Sequence, residues 1–426
     1  MKNYNKNFDQ IIGYQDIKET LYPICDMFRN PEKYIKLGVV MPSGVVLHGE
    51  PGFGKTLMAK SFIEACGVPS FICRKDKSDG EFINYLTKCF DDAVENAPAI
   101  VFLDDMDKFA NEDEDHKNAE EYVTVQACID KVKGKNVFVI ATTNALYNLP
   151  DSLLRPGRFD INLTMDGLEK KDQIDLIKYY LKDKPVEKDI SYDSLWHILG
   201  GHVSCAELEK IINDAAIKAA FKNMDLITYN DFVDACLKHH FGIVNEVNKE
   251  LTKKDYIVAY HEAGHTIVSE LLEPNSVGLV SIQGRTSNRG VTKYTIDDYE
   301  RGQTYIEAEN RIAACLAGRA ATEIVLNEKD LGAAEDIDRA KDIIFRLRND
   351  AYVYGFNCNL TPAVSEEKRA RACRVMDSEL ERLYEKAKKI IYNNREFLDA
   401  VANALLEKKT IFAKDIQDIK KKLNIA

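Results

Sequence analysis

The chain has 426 residues, 45% hydrophobic and 30% charged, an ordinary globular composition with length for two or three domains. A formal charge of -11, with no local block rich in Lys or Arg, argues against a nucleic-acid partner and favours protein or peptide substrates. No run of about eighteen apolar residues occurs and the opening MKNYNKNFDQ is polar, so neither membrane insertion nor a signal peptide is expected, and a cytoplasmic protein is.

Through 1–167, β-rich runs alternate with helical stretches, which predicts an α/β domain with a parallel sheet flanked by helices. Candidate strands are Gly44–His48, Ser70–Cys73, Ala99–Leu103 and 136–142. The first leads into GEPGFGKT at 49–56 and then Leu57-Met58-Ala59, giving strand, Gly-rich loop and helix in the order of a phosphate-binding loop. Glu50, Pro51, Gly52, Phe53, Gly54, Lys55, Thr56 and Leu57 form the candidate nucleotide-binding set. Backbone amides of 52–55 would cradle phosphates, Lys55 would meet the β- and γ-phosphates of ATP, and Thr56 would hold Mg2+. The apolar run Ala99–Leu103 delivers Asp104 and Asp105 at its end, as a buried strand does when it presents a carboxylate to magnesium. The acidic stretch 111–121, NEDEDHKNAEE, reads as a solvated loop.

From 168 to 240 helical spacing takes over, as in Leu208, Ile211, Ile212, Ala215 and Ala219, and predicts a small helical lid domain. A polar linker is expected over 241–254, followed by a mostly helical domain over 255–426 with a short β segment within 277–294. The ten cysteines are dispersed, without a C-x-x-C pair, and read as reduced thiols.

The last domain opens on His261-Glu262-Ala263-Gly264-His265. On a helix, His261 and His265 project from one face about one turn apart and can both ligate one Zn2+. Glu262 between them can act as general base toward water at the metal. Ile257, Tyr260, Ala263, Gly264, Ile267, Val268 and Leu271 follow i, i+3, i+4 spacing, so the helix carrying the motif is buried, and small Ala263 and Gly264 admit a tightly packed neighbour. The segment 289–294 could present a strand edge to an extended substrate or serve as an ordinary structural strand.

On these motifs, 8–240 resembles the AAA+ ATPase module, and with HEAGH downstream the whole chain resembles an FtsH-type ATP-dependent zinc metalloprotease. The resemblance includes VIATTN at 139–144 and LRPGRFD at 154–160. It implies adenine contacts from Ile12 and Gly13, a sensor role for Asn144, and arginine fingers at Arg155 and Arg158 that complete a neighbour's site in a homohexameric ring. It further implies Asp336, in Gly332-Ala333-Ala334-Glu335-Asp336, as third zinc ligand, with Glu335 and Asp338 as competitors, and Glu323 beside the site.

Three departures stand out. Asp105 replaces the family's Glu and is one methylene shorter toward the attacking water. No aromatic-hydrophobic-Gly tripeptide lies between Phe71 and Ile83; Ser78 and Glu81 suggest a capping box, leaving Phe82 as the aromatic candidate for gripping substrate. The family's two N-terminal membrane spans have no counterpart. The resulting expectation is an ATP-dependent zinc metalloendopeptidase; the alternative is a nucleotide-gated zinc peptidase with weak ATP hydrolysis and no processive unfolding.

Overall fold

The parallel sheet expected from the alternating pattern is present, with five strands rather than four. The computed structural model describes residues 5–76, 79–110, 119–201, 203–241, 251–282, 290–294, 304–327, 331–349, 351–354 and 366–425. The chain divides into two compact units, one of 1–180 with 203–210, the other of 181–202 with 211–426.

In the first unit, α1 (Gln15–Arg29) and α2 (Pro31–Ile35) precede β1 (Gly44–His48) and α3 (Lys55–Cys66). Next come β2 (Ser70–Cys73), α4 (Asp79–Glu95), β3 (Ala99–Leu103), α5 (Ala119–Val132), β4 (Val137–Thr143), β5 (Ile161–Thr164) and, at the border, α6 (Lys170–Leu181). The strand order is β2-β3-β4-β1-β5 with every pairing parallel. Alternation along each strand builds two cores. Val45, Leu47, Ile100, Phe102 and Ile140 meet Leu21, Met58 and Phe62 on one face. Val46, Val101, Leu103 and Val139 meet Phe82, Phe90 and Ile129 on the other. Each such side chain stabilises the fold by about 1.5–3 kcal/mol on burial.

β4 starts at Val137, not 136, because Asn136 is left-handed with φ of 54° and so departs from extended backbone, although its carbonyl still accepts from Ala99 N at 3.2 Å. β5 was not anticipated; it is a short edge strand in which Asn162 and Thr164 face solvent, so its apolar signal is thin. The register pairs Leu47 with Thr142, His48 with Thr143 and Leu103 with Ala141. The strand ends are therefore level, and loop 49–54, Asp104 and Asn144 all leave the sheet at its carboxyl edge, where α/β sheets bind ligands.

The second unit contains α7 (Tyr192–Leu199), α8 (Cys205–Phe221, whose residues through 210 belong to the first unit) and α9 (Tyr229–Phe241). Then follow α10 (Lys253–Leu272), β6 (Val277–Ser281), β7 (Val291–Tyr294), α11 (Tyr305–Leu326), α12 (Ala334–Asn349), α13 (Glu366–Asn393), α14 (Arg395–Lys408), β8 (Thr410–Phe412) and α15 (Ala413–Lys422). The small antiparallel sheet has the order β7-β6-β8. α10 is the central helix, packed on α11 and α14 through Ala259, Ala263, Ile267, Ala313, Ala317 and Val401. The close approach depends on Gly264: a Cβ there would lie 2.5 Å from the carbonyl oxygen of Ala317 and 2.7 Å from Ala321 Cβ.

α10 starts at Lys253, inside the expected linker, because Thr252 and Asp255 form a reciprocal capping box. Residues 242–250 of that linker, residues 111–118 of the acidic stretch, and Ser78, Arg289 and Cys358 lie outside the described residues. The end of the acidic stretch is not loop: Ala119 to Glu121 open α5, and buried Glu121 pairs with Lys75 at 3.3 Å. Among the described cysteines, six are buried, Cys205 and Cys315 are partly so, and Cys373 is exposed. No helix among the described residues is long and apolar enough to cross a membrane.

Candidate functional site

The Gly-rich loop is held in shape by its own lysine. Lys55 Nζ donates to the carbonyl oxygens of Gly49 at 2.7 Å and Glu50 at 2.6 Å, and burial pushes the ammonium pKa down. Gly52 has φ of 87°, and a Cβ there would meet Ser204 Oγ at 2.7 Å. Its carbonyl accepts from Ala206 N at 3.2 Å, so the first turn of α8 rests on the loop. α3 begins after Gly54 without a side-chain cap, which leaves its first amides available to an anion. Phe53 is buried, whereas Glu50, Pro51 and Leu57 are exposed. Half-buried Ile12 precedes Gly13, which packs against Leu168 and Asp172.

Asp104 is buried and accepts from Thr56 Oγ1 at 3.0 Å and Thr142 Oγ1 at 2.9 Å. The Thr142 hydroxyl in turn accepts from Asp105 N at 2.9 Å. This hydroxyl ties the Asp104 carboxylate and the Asp105 backbone to β4, a role that sequence reading missed although Thr142 sits inside VIATTN. A hydroxyl and a carboxylate in contact beside a phosphate-binding loop suit a magnesium ion. Asp105 takes a left-handed conformation, φ 54° and ψ 53°, and its Oδ2 lies 2.7 Å from Lys108 Nζ and 3.7 Å from Arg74 Nη2. Asn144 is exposed, and its backbone amide donates to Asp107 Oδ1 at 3.3 Å.

The two candidate finger arginines differ. Arg158 is half-buried and grips Asp130 with two hydrogen bonds of 2.8 and 3.2 Å while donating to the Ser152 carbonyl at 2.6 Å. Arg158 first, then Lys133, holds the Asp130 carboxyl down at about 2. Arg155 is exposed and forms no ion pair among the described residues. Phe82 is not available to grip substrate: it is fully buried in α4, its ring centroid 4.9 Å from that of Phe109.

In the second unit, His261 and His265 emerge side by side from α10, and Asp336 comes from the first turn of α12. His261 Nε2 and His265 Nε2 are 3.0 Å apart, and Asp336 Oδ2 lies 3.2 and 3.3 Å from them. His265 Nδ1 sits 2.7 Å from the Ala314 carbonyl oxygen, which fixes the proton on Nδ1 and turns the Nε2 lone pair toward the other two atoms. Three lone-pair donors facing one another call for a cation. Tetrahedral zinc with bonds of about 2.0–2.1 Å keeps its ligands ~3.3 Å apart, so the triangle fits. Burial opposes ionisation of Asp336, but the neighbouring His261 and His265 outweigh it and hold the carboxyl far below its ordinary range. These three residues are the one group of His, Cys, Asp or Glu side chains among the described residues that could hold a metal. Glu335 and Asp338 are exposed, the latter paired with Lys341 at 3.0 Å. Glu323 is held by Tyr384 at 2.7 Å and Lys388 at 2.9 Å.

Glu262 is buried next to the histidines, and burial raises its pKa. Its Oε2 accepts from Thr292 Oγ1 at 2.8 Å, and Gly290 packs on the same carboxylate. Gly318 faces the imidazoles so closely that a Cβ would lie 2.6 Å from His261 Cε1 and His265 Nε2. Sequence reading singled out 289–294 without assigning the Thr292 contact, which, like that of Gly318, depends on tertiary neighbours rather than local spacing.

Comparison with known proteins agrees with this geometry. Residues 45–166 match the ATPase family associated with various cellular activities (AAA), and residues 249–419 match Peptidase family M41. The chain is 30% identical to ATP-dependent zinc metalloprotease FtsH 2 of Thermoanaerobacter sp. (strain X514), across 97% of this chain and 83% of the relative. It is 31% identical to ATP-dependent zinc metalloprotease FtsH of Caldicellulosiruptor bescii, across 97% and 71%. To FtsH 1 of Thermomicrobium roseum it is 30% identical, across 96% and 67%. With a nucleotide-type sheet edge in one unit and an HExxH helix in the other, the chain belongs to the FtsH family of ATP-dependent zinc metalloproteases.

Proposed function

We propose that His261, His265 and Asp336 hold the catalytic zinc and that Glu262 is the general base of peptide-bond hydrolysis. The observation that carries this reading is the 3.0–3.3 Å triangle of two Nε2 atoms and Asp336 Oδ2, beside a buried carboxylate steered by Thr292. Zinc there would polarise the scissile carbonyl and lower the pKa of water. Glu262 takes the proton of the attacking water and passes it to the leaving amine. Gly318 leaves room for the imidazoles, and Ala314 orients one of them. The test is Glu262→Gln: zinc content is retained and cleavage is lost, whereas retained proteolysis would sink the assignment.

For the nucleotide, the same reading gives phosphate binding to 50–57, magnesium to Thr56 and Asp104, water activation to Asp105, γ-phosphate sensing to Asn144 and adenine contact to Ile12 and Gly13. Exposure of Arg155 supports it as the finger that reaches a neighbouring copy in a homohexamer, while Arg158, tied to Asp130, shapes the loop that carries it. The working domain limits are 1–167 for the α/β part, 168–240 for the lid and 255–426 for the peptidase.

The second reading, nucleotide gating with feeble hydrolysis, is favoured by one observation: the Asp105 carboxylate is engaged by Lys108 at 2.7 Å. The oxygen held by that ammonium is turned to Lys108 instead of being free to take a proton from water.

A further inference from the structure

Ser269 and Leu272 continue along α10 from His265, and Arg339, Ile343 and Arg346 continue along α12 from Asp336 at helical spacing. With α11 and β7 these residues enclose a cleft of about 220 Å³. Two of its walls belong to the metal site. Thr292 lines it and bonds Glu262; Ala314 lines it and holds His265. The cleft is smaller than the roughly 300–1,000 Å³ that takes a drug-sized ligand, and is the size for a single side chain.

Its chemistry is mixed. Leu272, Ala314 and Ile343 make an apolar lining. Arg311, Arg339 and Arg346 supply three guanidinium groups against the carboxylates of Glu273 and Asp342, an excess of one positive charge in a chain of formal charge -11. Arg339 and Arg346 are exposed, and neither side chain makes an ion pair with another described residue, Asp342 on the same helix included. Their charge is therefore open to whatever enters.

We propose that this cleft is the specificity pocket for a substrate side chain flanking the scissile bond, and that Arg339 and Arg346 make it accept large neutral or acidic side chains and reject lysine and arginine. A cationic side chain entering this partly apolar cleft beside two like charges meets repulsion together with some desolvation. The proposal rests on the zinc-site reading above, because it takes the walls shared with Glu262 and His265 as the place where the peptide lies.

The test is to digest unfolded casein with the full-length enzyme and ATP and read both residues flanking every cut by mass spectrometry. At one of the two positions Lys and Arg should be depleted about tenfold relative to their frequency in casein, the scale set by a like charge a few ångströms away in partly screened surroundings. Arg346→Glu should restore Lys and Arg at that same position, and Arg339→Gln, a milder change, should restore them in part. Lys and Arg found at both flanking positions at their natural frequency would overturn the proposal. So would depletion that persists unchanged in both variants. A parallel digest with Glu262→Gln separates the two readings: cutting by that variant removes the zinc-site assignment, whereas its silence beside an unselective wild type removes the pocket alone.

Discussion

The hydroxyl of Thr292 donates a 2.8 Å hydrogen bond to Oε2 of Glu262, so an edge strand of the small sheet steers the carboxylate that stands beside His261 and His265. The bond fixes the rotamer of a side chain that would otherwise have several. A group in this position acts by aiming another.

Thr292→Val keeps the shape and removes the donor. It is expected to lower peptide cleavage roughly 10–100-fold with zinc content unchanged, the usual cost of losing an outer partner. Glu262→Gln should cost about 10²–10⁴-fold by the same peptide assay. Equal losses in the two variants would mean that Thr292 does more than orient the base.

Gly318→Ala places a methyl 2.6 Å from both imidazoles, so the histidines must separate. Zinc affinity should fall about 10–100-fold, read by competition with a chelating dye. ATP turnover by the same preparation should persist, because the substitution lies in the other compact unit. Full zinc affinity would show that the two rings lie farther from α11 than described.

Arg155→Ala should reduce ATP turnover about 10³-fold or more if it is the finger, without a change in melting temperature. Arg158→Ala should act on stability instead. Its ion pair is part-exposed, at 21% and 41%, so the loss is discounted to about 1 kcal/mol, or a melting shift of about 2–4 °C. Because Asp130 is held down at about 2 from 3.8, this contribution is complete above pH 3.8 and fades as the pH falls through about 2. Melting curves of the two variants, set beside their ATPase rates, distinguish the roles.

Asp105→Glu lengthens the side chain by one methylene and takes the carboxylate past its 2.7 Å contact with Lys108. It is expected to raise steady-state ATP turnover severalfold, and Asp105→Asn to abolish turnover while nucleotide binding remains. A Glu variant no faster than wild type would show that the native Asp suffices.

Much of both sites was legible because local periodicity fixes it. HExxH sets His261 and His265 one helical turn apart, and a strand, loop and helix in sequence order set the Gly-rich loop at the sheet's carboxyl edge. What joins distant segments was not legible from spacing. Asp336 lies 75 positions from His261 and came from family resemblance alone. Thr292 and Gly318 reach the site from a strand and a helix whose register no local pattern encodes, and Thr142 does the same for Asp104. Phe82 was misjudged although the signal was present: Phe82, Leu86 and Phe90 recur at four-residue spacing and mark a buried helix face. The α10 start was missed for a similar reason, since Thr252 with Asp255 is a capping box inside what read as a polar linker.

The most direct test is degradation of a stably folded protein by one preparation, measured with ATP, with a non-hydrolysable analogue and with Glu262→Gln in place of the wild type. The account predicts degradation with ATP alone, and none with the analogue or the variant. Degradation of the folded protein at equal rates with ATP and with the analogue would contradict it.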